Sequence, residues 1–217
     1  STPKPSSAAS DVYKRQDSHL PSVTTILKAT QSEEDKAGIA AWKERVGHKE
    51  AERIKNEASN RGSSMHSYIE QFLLGKFNLD LLDEENKSKK MAVEIIDNGL
   101  KNKLTEIWGA EATVYYPGKY AGTADCIGVY EGKETILDFK QSNKPKKEEY
   151  IEDYFLQIGA YSLAHNTVHN SKITQGVILI CTVDRLFQDF KIEENELKNY
   201  QNKFLEKVEQ FYQIIRR

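Results

Sequence analysis

The chain has 217 residues, 38% of them apolar and 29% charged, with a formal net charge of −2. That length can bury a real core in one domain, and no run approaches the roughly 18 unbroken apolar residues of a membrane span. Near-neutral charge does not advertise a nucleic-acid surface, but carboxylates gathered for a divalent cation would offset basic residues elsewhere, so distribution matters more than total.

Residues 1–20 are rich in Ser, Pro, Ala and Lys without apolar periodicity, and read as a disordered tail or an expression remnant. With no positive-then-apolar leader, an intracellular, soluble protein without membrane association is expected. Residues 21–217 are expected to form one domain, with 21–105 helical and 106–217 an α/β core. Pro21–Leu27 reads as an extended piece or turn running into a helix. Ser32 caps the next helix, with acids 33–35 in its first turn and Ile39, Trp42 and Val46 along it. A longer helical stretch follows from about His48 to Leu74, interrupted in character at Gly62-Ser63-Ser64 and ended by Gly75. Another covers roughly 86–104, with Met91, Ile95, Leu100 and Leu104 inward.

From Ile107 the apolar period changes to two. Runs at about 108–116, 120–130 and 133–140 are separated by the turn dipeptides Pro117-Gly118 and Glu131-Gly132. A helix over about 148–166 leads to a buried strand at 177–181 and an edge strand at 186–192. The final helix, about 193–216, carries Leu197, Tyr200, Phe204, Val208, Phe211 and Ile215 on one core-facing stripe. Cys126 and Cys181 fall in apolar strand runs and read as buried thiols. Two cysteines cannot build a four-thiolate iron–sulfur or zinc centre. This order of elements predicts an α/β fold with a mixed sheet flanked by helices.

The second hairpin carries the chemistry. If Glu131-Gly132 is a two-residue loop, Tyr130 pairs with Lys133, and counting back places Asp125 opposite Asp138 and Thr123 opposite Lys140. Opposed like charges destabilise a hairpin by up to about 1 kcal/mol. Partial burial enlarges that cost or forces a proton onto one carboxylate. A bound Mg²⁺ or Mn²⁺ removes the conflict, because hard cations take carboxylate oxygens. Lys140, on the face of Asp138, would then stabilise developing charge. An Asp-x-Lys tripeptide alone is usually a solvated pair; the opposed Asp125 and the apolar flanks Ile136, Leu137 and Phe139 lift this one above that reading. Glu111 lies opposite Asp125 if the first hairpin loop has three residues, and on the other face if it has two.

Gly122-Thr123-Ala124-Asp125, then Asp138-Phe139-Lys140, then Gln157 and Tyr161 resemble the RecB-type PD-(D/E)XK nucleases, in particular the mitochondrial genome maintenance exonuclease 1 branch and its phage relatives. The resemblance extends over most of 21–217, through Pro21-Ser22-Val23-Thr24, Gly62 with His66 and Glu70, Glu111, and Lys144-Pro145-Lys146. It implies a restriction-endonuclease-like mixed sheet with an N-terminal helical addition. It implies metal ligation by Asp125, Asp138, the Phe139 carbonyl, His66 and Glu111, and catalytic roles for Asp125, Asp138, Lys140, His66 and Gln157. Ser22, Thr24, Ser142, Lys144 and Tyr161 would touch DNA. Gln141 departs from the family, where Thr is frequent.

The implied activity is Mg²⁺- or Mn²⁺-dependent DNA cleavage from free single-stranded ends, leaving 5′-phosphates, by a monomer without an iron–sulfur cluster. A bacterial or phage-infected cytoplasm is the expected setting, rather than a mitochondrion. The alternatives are an endonuclease of the same superfamily and a non-catalytic DNA-binding replication or repair protein. Taken without the resemblance, His66–Glu70 reads as an exposed helical pair and Gln157–Tyr161 as a packed helix face. Lys43, Arg45, Lys49, Arg53, Lys55 and Arg61 spread along the N-terminal helices without forming one stripe, and phosphate contacts from such residues would not read sequence. Tyr150, Tyr154 and Tyr161 could stack on bases, with core packing as the competing use.

Overall fold

Five strands in the order β1-β2-β3-β4-β5 form one mixed sheet in the computed structural model, which describes residues 20–76 and 86–216. The segment expected to be a tail lies, Leu20 apart, outside the described residues. β1 is Leu104–Tyr116, β2 Tyr120–Tyr130, β3 Lys133–Ser142, β4 Gln175–Thr182 and β5 Phe187–Glu193. Glu131 and Gly132 take φ of 49° and 81°, as a two-residue hairpin turn demands, and Tyr130 pairs with Lys133. The first hairpin has the three-residue loop, since Tyr116 pairs with Tyr120.

β3 and β4 run parallel, which requires a crossover. Helix α5 supplies it, numbering the helices α1 (Val23–Ala29), α2 (Glu33–Val46), α3 (His48–Leu73), α4 (Lys87–Ile95), α5 (Glu152–His169) and α6 (Glu194–Ile215). β4 is buried along all eight residues, as expected for a strand covered on both faces. One face packs Ile136, Ile178 and Tyr120 against α1, α5 and α6 through Ile26, Phe155 and Phe204. The other packs Leu137, Phe139 and Leu179 against α3 and α4 through Met65, Ile69, Met91 and Ile95. This is the mixed sheet flanked by helices that the alternation of periods predicts.

Four local expectations are corrected. α3 runs without a break through Gly62-Ser63-Ser64; glycine costs a helix about 1 kcal/mol, and burial of Met65, Ile69 and Leu73 just beyond outweighs it. The helix expected over 86–104 ends at Ile95 in a π-helical turn, Ile96–Leu100. Asn102 then adopts a left-handed φ of 62°, which asparagine tolerates, and Leu104 opens β1 instead of lying on a helix. Ile215 falls off the α6 stripe and is exposed. α2 buries no residue, and its neighbour is α3.

On the outer side of α5, His165 stacks on Trp108 with ring centroids 6.3 Å apart and shares a 2.7 Å hydrogen bond with the Ser171 hydroxyl. Burial, aided by the neighbouring His169, holds its imidazole down at about 4. An unfolded chain protonates histidine near about 6.5. The unfolded state therefore binds more protons between those values, so this stabilisation is present above about pH 6.5 and is lost as pH falls towards 4. His165→Gln should flatten the acid side of the stability–pH curve by about 1 kcal/mol, after allowance for solvent screening of a partly buried ring. Urea unfolding at pH 7 and pH 4.5 measures it; an unchanged slope would contradict this account.

Candidate active site

The site forms where two strands part company. β2 and β3 are bonded from Tyr130–Lys133 as far as Cys126–Leu137. In the next register position, where Asp125 would face Asp138, a side chain takes over from the backbone: Phe139 donates its N–H to Asp125 Oδ2 at 2.7 Å. The ladder does not extend to Thr123 and Lys140; Thr123 instead pairs with Thr113 of β1. Beyond this point β3 pairs only with β4, and β2 with β1.

The β1–β2 ladder shows a second irregularity at the same level. Ala110 pairs with Cys126 and Ala112 with Ala124, leaving Glu111 and Asp125 opposite one another between two bonded pairs of the ladder. Ala110 and Cys126 pack on the α3–α4 side, whereas Ala112 and Ala124 pack on the α5 side. Residues two apart normally share a face, so both strands reverse their faces here. Glu111 absorbs the reversal with a φ of 47°, a conformation that a non-glycine residue holds only when its surroundings enforce it. The three-residue loop thus places Glu111 opposite Asp125, which the sequence left open.

α3 brings His66 across the opening. Its Nε2 donates to the carbonyl of Phe139 at 2.7 Å, since a carbonyl can only accept. Nδ1 then faces Asp125 Oδ1 at 3.5 Å and Glu111 Oε1 at 3.6 Å. His66, Glu111 and Asp125 each offer one ligand atom within 4.8 Å of the others. Gly62, Ser63, His66, Ser67, Glu70 and Glu111 line an open cleft of about 520 Å³ above them.

Beneath the cleft, Asp138 is buried, and Lys140 Nζ lies 2.6 Å from its Oδ2. That approach is a short ion pair, and no other donor reaches the buried Oδ2 among the described residues. Lys140 also donates to Gln157 Oε1 at 3.1 Å and lies 5.1 Å from the Tyr154 ring centroid. Gln157 and Tyr154 are on α5, so the crossover helix orients the lysine that the preceding strand presents. Tyr161, one turn further along, is buried at 6% exposure. Its ring explains the motif glycine: a Cβ on Gly122 would fall 2.6 Å from Tyr161 Cε1.

Charges at the centre are in conflict. Burial, and then the charge of Asp138, push the Asp125 carboxyl up to about 7, against the opposing pull of His66, Lys140 and the Phe139 N–H. Burial would lower His66, but its contact with the Glu111 carboxylate and the charges of Asp125 and Asp138 outweigh burial and Lys140 and raise it. Lys140 is likewise raised: its carboxylate neighbours outweigh its burial. A divalent cation fits this donor set. His66, Glu111 and Asp125 each turn a ligand atom to the same point beside the buried Asp138, with only a proton and one lysine to balance the carboxylates. A second lone pair on the Phe139 carbonyl keeps it available as a ligand.

The remaining predicted residues lie at the margins. Pro21 accepts a hydrogen bond from Ala121 N–H at 3.0 Å, pinning the N-terminal piece to β2 beside Gly122. Ser22 caps α1, accepting from Thr25 N–H, while Thr24 is exposed. Ser142 is buried and donates to the Lys144 carbonyl at 2.6 Å, so its hydroxyl shapes the turn after β3; Lys144 is exposed. Tyr150 is exposed at 72%. Sequence reasoning passed over Asn143 and did not separate Arg61 from other cations. Arg61 Nε donates to Gln141 Oε1 at 2.8 Å and Nη2 donates to Asn143 Oδ1. No spacing in the sequence announces a contact across 80 residues.

Comparison with known proteins gives a consistent set of relatives. No family model matches the chain. It is homologous to proteins named mitochondrial genome maintenance exonuclease 1: 28% identical to that of Xenopus tropicalis over 88% of this chain and 57% of the relative, and 29% identical to that of Homo sapiens over 76% and 50%. The chain thus spans about half the length of these relatives. Among solved structures, a phage-related exonuclease from Haemophilus somnus 129PT aligns at 14% identity and a TM-score of 0.38, covering 69% of this chain and 80% of that one. The alkaline exonuclease LHK-Exo with dAMP aligns at 14% identity and a TM-score of 0.40, covering 91% and 92%. Overlaps this loose carry no argument about the site.

Because the folded-state Asp125 carboxyl titrates near 7 rather than the unfolded 3.8, its contribution is fully present below about pH 4 and is lost as pH rises through 7. In a chelator, the wild-type melting temperature should fall between pH 5 and pH 8. Asp125→Asn should remove most of that fall, a gain of about 5 °C at pH 8, and should abolish any stabilisation by added Mn²⁺. Thermal melts with EDTA and with Mn²⁺ test both points. Gly122→Ala should destabilise by about 1–3 kcal/mol through its clash with Tyr161, read by chemical denaturation.

Proposed function

We propose that this chain, a homologue of the proteins named mitochondrial genome maintenance exonuclease 1, is a divalent-metal-dependent deoxyribonuclease that degrades DNA from free single-stranded ends and leaves 5′-phosphates. The observation that carries this reading is the convergence of His66, Glu111 and Asp125 beside the buried Asp138–Lys140 ion pair, at the parting of β2 and β3. Residues 106–217 would supply the catalytic core and 21–105 the helices over it.

Asp125, Asp138, His66 Nδ1 and the Phe139 carbonyl would hold Mg²⁺ or Mn²⁺, with Glu111 at the rim. When bound, such a cation supplies positive charge against a phosphodiester and acidifies water. Lys140, oriented by Asp138 and Gln157, would hold its ammonium against the charge that builds on the phosphoryl oxygens. Water would add to phosphorus in line with the O3′ leaving group as the P–O3′ bond breaks; a water proton is lost to solvent, the departing O3′ takes one up from solvent, and the 5′-phosphate stays with the downstream product. Ser22, Thr24, Lys144 and the helices α2 and α3 would guide the strand by its phosphates.

A labelled single-stranded oligonucleotide with Mg²⁺ or Mn²⁺ should be shortened progressively, and Lys140→Ala should slow that at least about 100-fold. A circular single strand should survive. Full activity of Lys140→Ala would sink the assignment of the site, and cleavage of the circle would identify an endonuclease.

A further inference from the structure

We propose that Arg61 is a phosphate-binding residue, holding a phosphodiester oxyanion of the strand at the mouth of the cleft. The inference rests on the nuclease reading for the identity of the strand, but its geometry stands apart from the metal ligands. Arg61 sits at the lip of the cleft, next to Gly62 and Ser63, which line it. Its Nε and Nη2 donate to Gln141 Oε1 and Asn143 Oδ1, and Nη1 has no acceptor among the described residues. Gln141 and Asn143 are one and three residues beyond Lys140 on the same chain segment. The loop that carries Asn143 is pinned from its other side, where Gln188 bonds both the N–H and the carbonyl of Lys146 at 2.8 and 2.9 Å.

The chemistry of these partners separates Arg61 from its neighbours. Arg53 is bound by Glu50 and Glu57 and Arg185 by Glu94, so carboxylates neutralise both. Arg61 is held by two neutral amide oxygens, and no carboxylate lies within ion-pair distance of it among the described residues. An amide oxygen fixes the direction of a guanidinium without cancelling its charge. A planar fork held this way, with its remaining edge open, suits the oxyanion of a phosphate. The acids at the centre repel that same anion, so a fixed cation one step outside them would set where the strand enters. Gln141, the departure from the family pattern, is then the residue that aims Arg61.

The test measures binding in a Lys140→Ala background, so that no strand is cut. Fluorescence anisotropy with a labelled oligothymidylate is followed between 50 and 300 mM NaCl in Ca²⁺. Arg61→Ala should weaken binding about tenfold at 100 mM and reduce the slope of log Kd against log salt by about 0.7, the value for one phosphate contact on a single strand. Arg61→Lys should restore the slope but not the full affinity, because an ammonium keeps the charge and loses the fork. In otherwise wild-type protein, Arg61→Ala should raise KM with kcat little changed. An unchanged slope, or no binding of the oligonucleotide before Arg61 is altered, would overturn the proposal. Cleavage by wild-type protein is scored separately: cutting with an unchanged slope removes Arg61 alone, whereas Arg61-dependent binding without any cutting removes the nuclease reading alone.

Discussion

Everything at the centre of this molecule turns on two carboxylates that the sheet forces together. Asp125 and Asp138 lie at the register position just past the last bonded pair of a two-residue hairpin, inside a sheet covered on both faces. A protein can tolerate such a pair by protonating one member or by supplying positive charge. Here both devices operate: Asp125 takes a proton up to about pH 7, and Lys140 and His66 crowd against the pair. The buried Asp138 oxygen has Lys140 as its one close donor among the described residues. A neutral or apolar pair would stabilise the fold better, which is why the arrangement reads as functional rather than structural.

Keeping this conflict requires a specific backbone. The β2–β3 ladder stops one pair short of the acids, and Asp125 itself caps the Phe139 N–H. The reversal of faces at Glu111 and Asp125 turns both strands towards the gap. Two layers then close over it from opposite sides, His66 from α3 and Gln157 with Tyr154 from α5. Gly122 permits the close approach of Tyr161 that lets α5 lie flat against β2. The site is thus a junction of three independently buried elements, and each is anchored by core residues well away from the chemistry.

The exposed helices follow another logic. α2 buries nothing, and α3 buries only Ala51 before Met65. Their stability comes from capping and local ion pairs, which are each worth a few tenths of a kcal/mol, so they depend on the body through the C-terminal half of α3. Arg61 marks the point where that projecting part meets β3.

Much of the fold was legible in the residues alone: the mixed α/β class, the two hairpin turns, the register of the second hairpin as far as Cys126–Leu137, and the helix between the third and fourth strands. All of these rest on short-range rules: side-chain period, turn chemistry and counting along a ladder. Packing in three dimensions was needed to show that Glu111 faces Asp125, that His66 bonds the Phe139 carbonyl, that Tyr161 is packed rather than open, and that Ser142 is used up in a turn. It also placed Leu104 in β1 and Ile215 in solvent, where helical periodicity alone put both inward. Arg61 is the sharpest case. In the sequence it is one of six scattered cations; in the fold it is clamped by Gln141 and Asn143, because contacts between residues 80 apart are set by how helices pack on a sheet and leave no periodic trace in either segment.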